Sequence, residues 1–462
     1  MTTPYTFQVK AARQLHRWSG RGLVASEMGT GKSFTSLIYA MRHPEARPIV
    51  IVCPASVKWS WQRECAVHCG WSAEVLEGTK PPLFQLGQTK HAITIINYDI
   101  LHAWLDFLKA MKPQLVIGDE VQYIKEPNTR RTKTFRELCK GVPHVLALSG
   151  TPLVNRPAEM FQTLNILRPD LFPSFWKFGH RYCAPRRAPW GVEFKGASNL
   201  NELHELLLNG QNGSPGVMVR TLKEDVLKDL PAKRRIVIPL DMERRQEYDL
   251  ALNQFLVWLS QQHPGKVSSA MRAERLVQLG YLKRLAAELK GTALTEWVDS
   301  FLEDSDQKLL LFAVHRKIVA MLHARYPESV YVDGSVVGNK RQKTFDQFLN
   351  SNKTRILIGN VKAAGVGWSA KGVSTVAFAE LPWTPGELTQ AEDRVHGIGR
   401  GAEGIRSTAY FLVARESIEE KLLKILQDKS KVLRKTLDGG GKGDKLDIYD
   451  KLCEELKKEN NR

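Results

Sequence analysis

Residues 25–33 read ASEMGTGKS and end in Gly-Lys-Ser. A lysine after glycine, followed by a hydroxyl, is a combination that holds a triphosphate: Lys32 reaches the outer phosphates and Ser33 holds Mg²⁺. Gly29 and Gly31 let the backbone turn its N–H groups toward phosphate, and a helix starting there adds its positive dipole end. Ser26 stands where the strict G-x-x-x-x-G-K-[ST] spacing wants glycine, so the loop alone is an incomplete match. About 90 residues later, PQLVIGDEVQYIK (113–125) ends an apolar run in Asp119-Glu120. The aspartate suits a Mg²⁺ shell and the glutamate can orient or deprotonate water. VLALSGTP (145–152) ends in small hydroxyls. Ser149 and Thr151 could sense the γ-phosphate there and relay its state.

These residues need strands that end together. GLVA (22–25) reads as a short apolar strand and SFTSLIYAMR as a helix with Phe34, Leu37, Ile38 and Met41 on one face. Strand-like runs alternate with helical patterns over 22–165 and again over 308–412, as stacked α/β units should. Between them, 241–303 holds no strand run and reads as helices. The chain of 462 residues exceeds one core, and its 43% hydrophobic and 25% charged residues are ordinary for a globular protein. No apolar run approaches the ~18 residues of a membrane span, and MTTPYTFQVK has no apolar core of a secretion signal. The net charge of +18 suggests a polyanionic partner. The six cysteines form no Cys-x-x-Cys pair, and CAVHC (65–69) reads as a helix with apolar thiols rather than a zinc site. Trp59 and Trp61, beside an apolar strand, read as packing.

In this order the pieces resemble the Swi/Snf-type ATPases, a branch of the superfamily-two helicase-like translocases, and most of all the HARP-type annealing helicases. The resemblance runs from about Phe7 to about Leu433. SEMGTGKS is similar to the family's D-E-M-G-x-G-K-T, which also lacks the first glycine. IVIVCPASVKWSWQRE (49–64), IINYDIL (95–101), DEVQYIKEPNTRRTKT (119–134) and LSGTPLVNRPAEMFQTLN (148–165) resemble motifs Ia to III. FGHRYCAPRRAPWG (178–191) and LKEDVLKDLPAKRR (222–235) look like the HARP-type connecting region, and 362–399 covers motifs V and VI.

The resemblance implies an α/β fold: two RecA-like lobes of parallel sheet flanked by helices, with helical protrusions. Lobe 1 is expected over 1–222 with a protrusion at about 155–222. Lobe 2 is expected over 223–437 with a protrusion at about 241–303 and a C-terminal brace helix, before a linker and tail helix over 438–462. It implies ATP and Mg²⁺, with Gln8 reading adenine, Glu27, Met28, Gly29, Thr30, Gly31, Lys32, Ser33, Gly367 and Arg394 around the nucleotide, and Ser33 and Asp119 on the metal. Lys32, Asp119, Glu120, Arg394 and Arg400 are the expected catalytic set. Gln122, Ser149, Thr151 and Gln390 are expected to couple hydrolysis to DNA. Ser56, Lys58, Asn97, Lys125, Arg130, Arg131, Lys362 and Trp368 are the expected DNA contacts.

Two departures stand out. Gln122 replaces the family histidine of motif II, which a donor–acceptor amide can tune rather than abolish. Gly397 replaces the second of two motif VI arginines, leaving Arg394 as finger with Arg400 as helper. The implied function is a monomeric, DNA-stimulated ATPase translocating on duplex or forked DNA without sequence preference, with annealing or fork remodelling as its use. The alternatives are a strand-separating or protein-displacing motor, and a slow ATPase acting as a nucleotide-gated clamp. No membrane partner is expected. The expected location is the cytoplasm, on the nucleoid in a bacterium or virus, or the nucleus in a eukaryote.

Overall fold

The structure is a computed structural model that describes residues 2–81, 92–152, 156–188, 191–211, 213–255, 257, 274–336, 338–365, 368, 370, 372–397 and 406–438. Two parallel sheets form the frame. In the first, β1 (Arg21–Val24), β2 (Ile49–Cys53), β3 (Glu74–Val75), β4 (Ile93–Asn97), β5 (Leu115–Asp119), β6 (His144–Leu148) and β9 (Met218–Val219) lie in the order β3-β4-β2-β5-β6-β1-β9. In the second, β10 (Arg234–Leu240), β11 (Leu309–Ala313), β12 (Val330–Val332), β13 (Ile356–Asn360), β14 (Thr375–Phe378) and β15 (Thr408–Ala414) lie in the order β10-β15-β14-β11-β13-β12.

The apolar runs dictate this arrangement. A strand such as IVIVC or LLLFA buries every residue, so both faces must be covered, which is the signature of a parallel sheet. Alternation then divides each strand between two layers. Val50, Val52, Ile96 and Val116 enter one core of lobe 1, while Ile49, Ile51, Ile95 and Ile117 enter the other. Lobe 2 repeats the pattern with Leu310, Phe312 and Phe378 against Leu309, Leu311 and Ala377. Parallel strands share one carboxyl end, and the loops leaving β1, β5, β6 and β13 there carry the residues singled out above.

The chain leaves lobe 1 at β9 and joins the second sheet at β10. Over 241–303 the described residues are helical: Arg245–Asn253, Glu274–Leu289 and Gly291–Asp304. Within the 155–222 stretch expected to protrude, the described residues mix helix and strand. Besides the helices Phe161–Leu167, Phe175–Tyr182 and Leu200–Asn209, it carries an antiparallel hairpin of β7 (Arg186–Ala188) and β8 (Gly191–Glu193). The long helix Ile418–Asp438 packs Ile418, Leu422 and Leu426 into the lobe 2 core and also touches the helix Leu200–Asn209. No described helix is long and apolar enough to cross a membrane.

Candidate nucleotide cleft and interlobe relay

The loop after β1 is held open by its own residues. Gly29 (φ 77°) and Gly31 (φ 76°) take left-handed conformations that favour glycine. Thr30 Oγ1 donates to Glu27 O at 2.8 Å, and Gln8 Nε2 donates to Thr30 O at 3.1 Å. Gln8 is buried and also accepts from Tyr5 N, so its amide is fixed against the loop. The helix Lys32–Arg42 starts at Gly31 and aims its N-terminus into the cleft. Lys32 Nζ donates to Glu27 O at 3.3 Å and lies 3.6 Å from Met28 Sδ. Neither partner is charged. Desolvation pulls Lys32 down to about 8, against the attraction of Glu120 and Asp119.

Asp119 ends β5 with both oxygens occupied: Trp61 Nε1 donates to Oδ2 at 2.8 Å and Glu120 N donates to Oδ1 at 2.9 Å. Burial and then the neighbouring Glu120 push its carboxyl up to about 7. Trp61 is core packing, as expected, but it also orients the carboxylate proposed for the metal. Glu120 sits in the left-handed region (φ 52°) and is buried, which turns its side chain toward lobe 2.

There it enters a closed ring of hydrogen bonds. Gln122 Nε2 donates to Glu120 Oε2 at 2.6 Å, and Ser149 Oγ donates to Gln122 Oε1 at 2.8 Å. Thr151 N donates to Ser149 Oγ at 3.1 Å. Gln390 Nε2, from the helix Pro385–Glu392 of lobe 2, lies 3.4 Å from both Thr151 Oγ1 and Glu120 Oε2. Residues expected to couple the two sides are thus joined across the interlobe seam.

Arg394 follows that helix. Its Nε donates to Gln390 O at 3.2 Å and its Nη1 to Trp368 O. Burial lowers its pKa, and the carboxylate that most opposes this is Glu120. Lys32 and Arg394 both feel the charge of Glu120 and Asp119. Gly397 explains its own departure from the family pattern. A Cβ there would stand 3.0 Å from both Gly29 Cα and Gly29 O, and one on Gly29 would stand 2.9 Å from Gly397 Cα. Backbone rests on backbone across the lobes. Restoring the family residue by Gly397→Arg should therefore wedge the cleft. We expect a raised KM for ATP and no gain in kcat; faster turnover in steady-state assays would show that the contact does not matter. Gly367 and Arg400 lie outside the described residues.

Three groups escaped the sequence reading. Lys223 donates its backbone N–H to Glu27 Oε2 (2.8 Å), while its ammonium meets Asp393 Oδ1 and His396 O, both at 3.0 Å. Lys233 pairs with Glu392 and Asp393 at 2.8 Å, and Arg235 with Glu392 at 2.6 Å. Burial alone would raise the Asp393 carboxyl; Lys223 and Lys233 outweigh it and hold it well below the usual range. The connecting segment thereby ties the phosphate loop to motif VI. The third group is Arg341, on the helix Gly338–Asn350. It is buried, its Nε and Nη2 have no hydrogen-bond partner among the described residues, and Arg394 is a like-charged neighbour.

On the far side of the ring lies an interlobe cavity of about 320 Å³, lined by Gln122, Lys125, Arg131, Thr151, Lys362 and Gln390 among others. Lys125 pairs with Glu159 at 3.0 Å, Arg131 lies over Tyr123, and the exposed Lys362 pairs with Glu387 at 3.8 Å; Glu126 and Glu387 also line the cavity. Arg130 is exposed nearby, Ser56 is half-buried and Asn97 is buried. Two expected DNA contacts are spent inside the protein. Lys58 is buried, with Nζ donating to Leu76 O at 2.8 Å. Trp368 is buried, stacked on Phe345 at 4.1 Å with Nε1 donating to Ala364 O. Both are redirected by an apolar neighbourhood that sequence position alone does not show.

A family model described as the SNF2-related domain matches residues 7–278, and one described as the Helicase conserved C-terminal domain matches residues 290–399. The chain is 33% identical over 427 residues to the Xenopus laevis "SWI/SNF-related matrix-associated actin-dependent regulator of chromatin subfamily A-like protein 1", covering 90% of this chain and 42% of that protein. It is 29% identical over 446 residues to the Homo sapiens "DNA annealing helicase and endonuclease ZRANB3", covering 91% and 39%. It therefore spans less than half the length of these relatives. A solved structure described as "Sulfolobus solfataricus SWI2/SNF2 ATPase core in complex with dsDNA" aligns over 99% of this chain and 97% of that one, at TM-score 0.42 and 20% identity.

Proposed function

The chain belongs to the SNF2-related family, and on that premise we propose that it is an ATP hydrolase that translocates along duplex or forked DNA. The observation that carries this reading is the ring Glu120–Gln122–Ser149–Thr151–Gln390, which lies between the cleft holding Lys32 and Arg394 and an interlobe cavity lined by Lys125, Arg131 and Lys362 with Glu126 and Glu387.

The cleft fits a magnesium triphosphate. Left-handed glycines and a helix N-terminus offer N–H donors, and among the described residues Lys32 donates to a carbonyl and a thioether and to no acid. Ser33 and Asp119 would hold Mg²⁺, which shields phosphate charge when bound. Glu120 orients and deprotonates the attacking water, Lys32 and Arg394 hold developing phosphate charge, and Gln390 carries the outcome to lobe 2. Arg341 is read as the second cation of the cleft, in the place of the arginine absent at 397. Lys125, Arg130, Arg131 and Lys362 would grip phosphates, a contact blind to sequence. Strand annealing, the activity in one relative's name, is proposed as a use of this motion, with the chain acting alone and residing where the cell keeps its DNA.

The decisive test is ATPase rate against duplex, single-stranded and forked DNA and RNA at stated salt. Stimulation by duplex supports the translocase, stimulation by RNA alone points to a strand separator, and no stimulation leaves a clamp. Glu120→Gln should bind ATP normally and stall before hydrolysis, with filter-retained ATP accumulating; unimpaired phosphate release would reassign the base.

The pH profile follows from the two perturbed groups. Above about 8 Lys32 loses its proton and with it the pull on phosphate; below about 7 Asp119 gains a proton and loses its hold on the metal. kcat/KM for ATP, which reports the free enzyme, should therefore be a narrow bell peaking between those values, with limbs belonging to the coupled pair. A flat profile from pH 6 to 9 would contradict it.

A further inference from the structure

Three bonds join the phosphate loop to the connecting segment. Arg220 Nη1 donates to Ala25 O at 2.6 Å, Glu27 N donates to Thr221 O at 3.0 Å, and Lys223 N donates to Glu27 Oε2 at 2.8 Å. From that anchored backbone the buried side chain of Lys223 crosses to motif VI. A lysine ammonium has three N–H donors. Here each finds an acceptor on one short stretch: Asp393 Oδ1 at 3.0 Å, His396 O at 3.0 Å and His396 Nδ1 at 3.4 Å. The neighbours fix the ring's tautomer. His396 Nε2 donates to Pro231 O at 3.1 Å, which leaves Nδ1 to accept from Lys223. Burial, then Lys223 and Lys233, pull the imidazole down to about 4, so the ring is neutral at pH 7 and keeps that role.

The turn Asp393–Val395 lies between these contacts and carries Arg394. The ammonium grips the residue before Arg394 and the second residue after it. His396 O also rests on the phosphate loop, since a Cβ on Gly29 would stand 2.9 Å from it. The finger's own anchors, the carbonyls of Gln390 and Trp368, both belong to lobe 2. They fix Arg394 within that lobe and leave its distance from lobe 1 unset. Lys223 sets it, because one residue is bonded to Glu27 through its backbone and to the turn through its side chain.

We propose that Lys223 is a positioning residue for hydrolysis: its ammonium holds the turn of motif VI against the phosphate loop and so sets the reach of Arg394 into the cleft. The inference rests on reading Arg394 as the finger and adds the residue that places it. A misplacement of about 1 Å at a reacting centre can cost about 10²-fold in rate.

The test is a double-mutant cycle on the full chain with saturating duplex DNA. It measures kcat and KM for ATP in wild type, Lys223→Met, Arg394→Ala and the double variant. Methionine keeps an apolar stem and has no donor, while Asp393 keeps Lys233 as its counter-ion at 2.8 Å. Lys223→Met should lower kcat by about 10²-fold. KM should hardly move, because the backbone bond to Glu27 survives the substitution. In the Arg394→Ala background the same change should cost nothing more, since a residue that acts through the finger has no effect once the finger is gone. A merely structural role would lower turnover in both backgrounds alike. Wild-type kcat in Lys223→Met, or a loss that adds in full to that of Arg394→Ala, overturns the proposal. Lys223→Gln, which keeps a donor, should lose less. If neither variant folds, as thermal melting and binding of a fluorescent ATP analogue report, Lys223 is structural and the proposal fails. Full turnover in Arg394→Ala alone removes the finger reading; a slow Arg394→Ala beside an undisturbed Lys223→Met removes only the role of Lys223.

Discussion

Lys32→Ala stops ATP turnover, by at least about 10²–10³-fold, the range for losing one charge-stabilising group. The ammonium is poised for the role: it sits at the start of the helix Lys32–Arg42, held by a carbonyl and a thioether rather than by an acid. An ion pair there would have to break before phosphate could bind. The depressed pKa records the cost of keeping a charge in that desolvated spot without a close counter-ion. Its removal relieves that cost, so the melting temperature should not fall, and duplex binding should persist because the grip is made on the other side of the ring. Phosphate release, thermal melting and anisotropy on one preparation check all three. Full turnover in the variant would move the active site elsewhere.

Arg394→Ala should cost about 10³-fold in kcat, the lower end for an arginine finger. Its guanidinium is pre-positioned by the carbonyls of Gln390 and Trp368, so little order has to be created at the moment of reaction. Arg394→Lys should rescue little, since a point charge cannot span two carbonyls and a phosphate at once. Arg341→Ala, measured beside it, should lose less, because Arg341 Nε and Nη2 have no such anchors among the described residues. If Arg394→Ala turns over at the wild-type rate, the finger is not Arg394, and Arg341 and Arg400 become the residues to test.

Much of the frame was legible because parallel sheets leave a strong trace. Runs such as IVIVC, LVIGD and LLLFA are apolar without alternation, and LVIGD ends in Asp119, the proposed metal ligand. What stayed hidden was hidden for separate physical reasons. The β7–β8 strands are three residues each, too short for any period to register. The ring joins Gln390 to Glu120 across 270 positions, a pairing that exists only once two lobes meet. Lys58 and Trp368 sit in motif positions yet turn inward, since nothing in a residue's type says which way its neighbours will let it point. Gly397 looked like a missing catalytic group and is instead a place where a side chain would press on the backbone of Gly29.

The amide at 122 has a final consequence. It donates to Glu120 and accepts from Ser149 at once, and it does so in a single protonation state. An imidazole in that place would change charge near pH 6.5 and reverse one of its two bonds. With glutamine, mild acidification can slow this machine through its carboxylate, but it cannot uncouple fuel from movement: each ATP split at pH 6 should advance the chain as far as one split at neutrality.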